Sequence, residues 1–517
     1  MKYVRTNVYA KGGDFSDPTI LWYARGVGVL KARQITDPTS WRFYAAIHGI
    51  DTPLWEQYGY LSPSDPLPPQ ADIDLYWNQC QHGSWYFLPW HRGYLLAFEA
   101  AVRAAVVSLG GPEDWALPYW NYFAPDENAL PPAFGMPDLP DGEGPNPLYV
   151  AQRWGPTNSG KVYVPLSQVN LRALTDPDFT GVASGGSPGF GGVDTGFSHG
   201  GRPHGRLEHQ PHDAVHVLVG GSDPADPNLP GLMSDPDTAG LDPIFWLHHA
   251  NIDRLWESWL QGPVSLGNPT DPKWVNGPAS VGQRPFVMPW PPTGTQWTYT
   301  PGDMANLADL DYVYDNLAPA GVSPTPAVAL EAPPAPVKKR AAAMAPTRHN
   351  VEMVGASEQP VRITGRDEAR TSVRLDAPMR RKMTARLDSV AAEAGAAALM
   401  SPGERVFLNL ENVRGTSDGT VLEVYLNVPA GTNPAHRQDR RVGSVGLFGL
   451  RKASAPDGEH GGEGLTFVLE ITEAIHALHL ESALAANELE VRIVPFNQVP
   501  EESPVSIGRV SVFRHGR

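Results

Sequence analysis

Residues 318–347 carry proline and alanine where an apolar period would otherwise run. Ala-Pro-Ala-Gly opens the stretch, Ala-Pro-Pro-Ala-Pro follows, and Lys338-Lys339-Arg340 comes after that. Proline fixes φ and offers no N–H, so neither helix nor sheet propagates through such a run. The stretch reads as an extended linker. A chain of 517 residues interrupted in this way builds at least two cores. The two parts also differ chemically. Residues 1–330 hold 17 basic and 33 acidic side chains, net −16, whereas residues 331–517 hold 23 of each. An acidic N-terminal body argues against nucleic acid as a partner.

No run of 18 apolar residues exists, so no membrane span is expected. Met1-Lys2-Tyr3-Val4-Arg5-Thr6-Asn7 lacks the apolar segment of a secretory signal, and a cytoplasmic chain is the expectation unless an unrecognised route exports it. Cys80 is the single cysteine. Disulfide frameworks, thiolate zinc clusters and iron–sulfur sites are thereby excluded. Any metal site must be made from histidines and carboxylates.

Apolar residues recur at helical spacing over 90–102, 212–218 and 243–259, and each window predicts a helix. Long Gly/Pro/Asp segments lie between them. Beyond 348 the pattern changes to short runs, among them 361–364, 371–375, 406–410, 421–426 and 489–494. Their alternation predicts strands and, together, an all-β sandwich over 348–517.

Ten of the 16 histidines lie between residues 48 and 249. Eight of them form three groups: His48 with His82 and His91; His209, His212 and His216; and His248 with His249. Residues four apart share a helix face, so His212 and His216 can address one metal. Imidazole suits zinc, copper, iron and nickel. Buried imidazoles need partners, and a metal is one. A lone His-x-x-x-His is weak evidence, but three groups in one Trp-rich body carry more weight.

Three segments resemble the type-3 dicopper family of tyrosinases, catechol oxidases and molluscan-type hemocyanins. Phe87-Leu88-Pro89-Trp90-His91-Arg92-Gly93-Tyr94-Leu95 is similar to the first copper signature. Asp242-Pro243-Ile244-Phe245-Trp246-Leu247-His248-His249 with Ala250-Asn251-Ile252-Asp253 is similar to the second. Tyr312-Val313-Tyr314 resembles the element that closes the catalytic domain. The resemblance covers nearly all of residues 1–317 and implies a mainly α catalytic domain, a helical bundle with long loops.

It further implies two copper ions. His48, His82 and His91 would hold the first; His212, His216 and His249 the second. The His four before Asp253 is the ligand in the family, which selects His249 over His248. Phe245, one turn earlier, would pack on His249, and His248 would face elsewhere as a supporting residue. His204 and His209 read as loop or surface residues. By resemblance, Cys80 would carry a thioether to His82. Glu208, one turn before His212, would orient a water near the coppers. Its usual companion is Asn, but this chain has Asp213, which donates no hydrogen bond unless protonated.

The implied activity is oxidation of o-diphenols, with ortho-hydroxylation of monophenols as an extension, using dioxygen and small phenols. A hemocyanin-like dioxygen carrier is the alternative. Six histidines without a bridging carboxylate disfavour a zinc hydrolase. A C-terminal β domain that lies over the dicopper site occurs in plant relatives and hemocyanins, which implies a latent form. Residues 338–386 hold 12 basic and 5 acidic side chains, so the tail is expected to dock on the acidic body. Phe448, in Gly446-Leu447-Phe448-Gly449, is the candidate plug, and Lys338-Lys339-Arg340 the candidate nicking site.

Overall fold

The computed structural model describes residues 2–198, 200–317, 350–377, 404–458, 461–480 and 488–516. The linker expected at 318–347 lies outside the described residues, as do Lys338-Lys339-Arg340.

Helices build the first core. α1 (Pro18–Ala32) begins where the Asp17 carboxylate accepts the Thr19 N–H, satisfying a donor that the first turn leaves free. α2 (Trp41–His48) is capped by Ser40 and ends on a histidine. α3 (Phe87–Ser108) spans 22 residues, longer at both ends than the 90–102 period marked. It stops before Gly110, whose φ is 80°. α4 (Ala214–Gly220) and α5 (Pro243–Gln261) complete the frame, with Asp242 capping α5 through the Ile244 N–H.

A buried charge network ties α3 to α5. Arg92 Nε lies 2.5 Å from Asp253 Oδ1, and Arg5 Nε lies 2.8 Å from Glu99 Oε2. The Tyr312 and Tyr314 hydroxyls each donate to Asp253 Oδ2 at 2.5 Å. These tyrosines sit on β2 (Tyr312–Tyr314), which runs parallel to β1 (Tyr3–Arg5). Removing one member of such a buried pair costs ~3–5 kcal/mol, because the other charge is stranded. The end of the helical body is thereby pinned beside the helices that carry His91 and His249.

The second core belongs to a nine-stranded sheet. Its strands are β3 (Asn350–Ser357), β4 (Val361–Ile363), β5 (Ala369–Leu375), β6 (Arg405–Arg414), β7 (Val421–Leu426), β8 (Arg441–Gly446), β9 (Leu465–Glu470), β10 (Glu488–Pro495) and β11 (Val505–Gly516). The order is β8-β7-β10-β5-β3-β11-β6-β9, with β4 also on β11, and every pairing is antiparallel. Leu422, Val424 and Leu426 alternate into this core. The two ends of the sheet approach each other: a Cβ on Gly443 of β8 would lie 3.0 Å from Leu469 of β9. The strand-rich domain read from alternation is therefore one sheet curled nearly into a barrel. Such curling buries one face and limits exposed edges.

The sheet domain sits on the helical body. Val421 and Phe448 are buried in the helical core, not in the core of their own domain. Glycine is required at 446, because a Cβ there would meet Asp213 O at 2.9 Å and Ala214 Cα at 3.0 Å. Charge pairs surround this approach. Lys452 Nζ lies 2.7 Å from Asp237 Oδ1, and Arg451 bonds Asp235 and lies 3.3 Å from Asp51. Arg405 lies 3.0 Å from Asp176, and Arg441 donates to Ser167 O at 2.7 Å. The docking charge was expected from residues 338–386, of which 338–349 and 378–386 lie outside the described residues; among the described residues these contacts come from Arg405, Arg441, Arg451 and Lys452. Among the described residues no helix is long and apolar enough to cross a membrane.

Candidate metal centre

Two groups of buried residues each bring their ligand atoms within 4.8 Å of one another: His48, Cys80, His82 and His91; and His212, His216, His248 and His249. Local folding explains the first. His48 ends α2, and His91 lies in the early part of α3. The Asn78 and Gln79 N–H groups bond to Ala46 O and Ile47 O at 3.0 and 2.8 Å. That lays segment 80–82 against the end of α2. In the second group, His248 and His249 sit side by side on α5, while His216 is on α4 and His212 immediately precedes it. The groups face each other, with the His91 and His249 rings stacked at 4.4 Å and 12°.

Main-chain acceptors orient the rings. His48 donates to Pro236 O at 2.7 Å, His91 to Phe87 O at 2.8 Å and His216 to Met233 O at 2.8 Å, each through Nδ1. A histidine that donates at Nδ1 presents a lone pair at Nε2. Burial lowers the pKa of all these histidines, His48 to about 3. They are therefore neutral, the form that binds metal. His212 Nε2, His249 Nδ1 and both His248 nitrogens have no hydrogen-bond partner. Buried imidazole nitrogens gathered within 4.8 Å of one another fit a metal ion, and an all-imidazole set with a thiol nearby fits copper.

Phe245 packs on the His249 ring at 4.2 Å. His248 does not turn away: it stacks on His212 at 5.4 Å and 20°, since α4 and its lead-in lie along that side of α5. Cys80 Sγ lies 3.4 and 3.6 Å from the two nitrogens of His82. The sulfur lies nearer still to His48 Nε2, at 3.0 Å. Burial pushes the Cys80 thiol pKa up.

Two sequence expectations need correction here. Glu208 does not share a helix face with His212, because the helical stretch Glu208–Asp213 is kinked at Gln210 (φ −142°, ψ 120°). Glu208 instead accepts the Gly83 N–H at 3.0 Å, reaching the His82 loop. His209 is buried, against Phe467 of the sheet domain. His204 lies in a loop, with its side chain largely covered. Its Nδ1 lies 2.8 Å from Asp213 Oδ2 and 3.6 Å from Glu208 Oε1. Burial alone would lower its pKa, but Asp213 and Glu208 outweigh this and raise it to about 9. Burial also raises Glu208, to about 8, and raises Asp213. The spacing of a Gly/Pro loop carries no signal for this cluster; the one cue was a lone His just ahead of the second group.

Phe448 reaches the centre from the sheet domain. Its ring stacks on His216 at 4.2 Å and 25° and stands edge-on to His82 and His212 at 5.6 and 5.7 Å. Only 2% of the residue is exposed.

Two facing imidazole groups on a helical frame define a protein of the dinuclear copper class. Comparison with known proteins agrees. Residues 38–262 match the common central domain of tyrosinase, and residues 350–515 match a domain of unknown function. Tyrosinase HcTyr1 of Hahella sp. (strain CCB-MM4) is 34% identical over 522 residues, covering 98% of each chain. Polyphenol oxidase E of Solanum lycopersicum is 31% identical over 238 residues, 41% of this chain and 38% of that one. A solved structure, latent apple tyrosinase, superposes with a TM-score of 0.58 at 20% identity, over 99% of this chain and 97% of that one. The chain belongs to the tyrosinase family, and its enzyme class is that of the copper-dependent polyphenol oxidases.

Proposed function

We propose that this chain oxidises o-diphenols to o-quinones with dioxygen and is folded in a latent form. One observation carries the reading: the Phe448 ring lies on His216, where an aromatic substrate would rest. A site that accepts one aromatic ring and is closed by another is a phenol site held shut.

In this reading His48, His82 and His91 hold one copper and His212, His216 and His249 the other. The copper pair supplies dioxygen binding and two-electron redox chemistry. The chain's own residues orient, exclude water and hold protons. The main-chain carbonyls of Pro236, Phe87 and Met233 fix three rings. Phe245 walls the second group, and His248 supports His212 by stacking. Cys80 forms a thioether with His82. One S–H and one ring C–H are lost, an S–C bond forms, and dioxygen accepts the two electrons and two protons.

Glu208, in its ionised form, is the carboxylate that takes a phenol proton. Asp213 is already engaged as acceptor by His204 and His212, so it offers no donor to a water oriented by Glu208. o-Diphenols are therefore assigned as the better substrates, with monophenol hydroxylation slower. The test measures copper content and oxygen uptake with a catechol and a monophenol, before and after trypsin nicking near 338–340. Two coppers per chain and severalfold faster catechol uptake after nicking are expected. A copper-free chain, or a nicked chain without uptake, refutes the reading.

A further inference from the structure

His212 differs from the three rings held by main-chain carbonyls. It gives its Nδ1–H to a carboxylate, Asp213 Oδ1, at 2.9 Å. The other oxygen of that carboxylate accepts from His204 Nδ1 at 2.8 Å. Adjacent helix residues point about 100° apart, so a carboxylate reaching back to the ring just before it needs holding from outside. His204 supplies the hold from the loop that precedes the kink. It also stands 3.6 Å from Glu208 Oε1, which separates two buried carboxylates by a donor.

We propose that His204 is a positioning residue for the second copper: it fixes Asp213, and Asp213 fixes and polarises His212. The inference rests on the copper reading above. A carboxylate partner makes an imidazole a stronger donor than a carbonyl partner does, and partners of this kind set metal affinity by ~10–100-fold. Tight retention of the second copper therefore depends on a residue that touches no copper.

The experiment uses full-length holoprotein and a copper chelator, with copper remaining per chain measured over time. His204→Phe keeps a planar ring and removes the donor. His204→Asn places an N–H near the position of Nδ1. Asp213→Ala removes the acceptor of His212. In His204→Phe and Asp213→Ala, one of the two coppers should leave about ten-fold faster, while the other leaves at the wild-type rate. His204→Asn should restore retention to within about three-fold of wild type. A general loss of structure would instead release both coppers and lower the melting temperature. Wild-type retention in His204→Phe overturns the proposal, as does an Asn variant that loses copper as fast as Phe. Should His204→Phe not fold, Asp213→Ala decides, and wild-type retention there overturns it equally. A wild-type chain that takes up no copper overturns the copper reading itself, which separates the two failures.

Discussion

Replacing Phe448 with Ala in the full chain removes the ring that closes the centre and leaves the rest of the docking contact in place. Fully burying a phenylalanine stabilises by ~2–3 kcal/mol. Stacking on another ring adds ~0.5–1.5 kcal/mol. An occluding ring held by about 3 kcal/mol keeps the open form near one part in ~10². Loss of the ring also weakens docking of the sheet domain, which acts in the same direction. The space freed lies against His216, His212 and His82 and matches a catechol ring. Phe448 lines a cavity together with His82, Gly200, His204, Pro236 and Lys452. Oxygen uptake with a catechol, at matched copper content, should rise at least ten-fold over the intact wild type. Trypsin should then add little. If Phe448→Ala is as slow as wild type while nicked wild type is fast, the ring is not what closes the site.

Three further predictions follow from the geometry. His249→Ala should abolish catechol oxidation and lose one copper. His248→Ala should retain both coppers, and equal loss in the two would show that the wrong member of the pair was assigned. Intact mass of the active holoprotein should fall two hydrogens below the sequence mass, and thiol titration should find nothing; a titrating Cys80 would disprove the thioether. Acid should loosen the domain contact. Burial alone would raise the Asp176 pKa, but Arg206 and Arg405 outweigh it and lower it to about 2. Its depressed pKa contributes about 2 kcal/mol that is present above pH ~4 and lost as pH falls toward ~2. Small-angle scattering should record expansion in that window, at higher pH in Arg405→Ala. An unchanged radius down to global unfolding would disprove it.

The sequence determined the parts whose signals are local. A Pro/Ala run stops periodic structure whatever surrounds it. Helical and alternating periods marked α3, α5 and most of the sheet strands, because burial on one face writes itself into a 3.6- or 2-residue repeat. The histidine groups were legible for the same reason, since His91 and His249 sit inside long periodic helices. Tertiary structure decided what depends on segments meeting. The kink at Gln210 moved Glu208 from the face of His212 to the N–H of Gly83. His204, in an aperiodic loop, became the partner of Asp213. Pro236, Met233 and Phe87 act through carbonyl oxygens, which every residue has and no spacing reveals. Phe448 is one of 16 phenylalanines; its place on His216 follows from β8 lying against α4 at Gly446. A contact between residues more than 200 positions apart is fixed by packing and complementary charge, which no local repeat encodes.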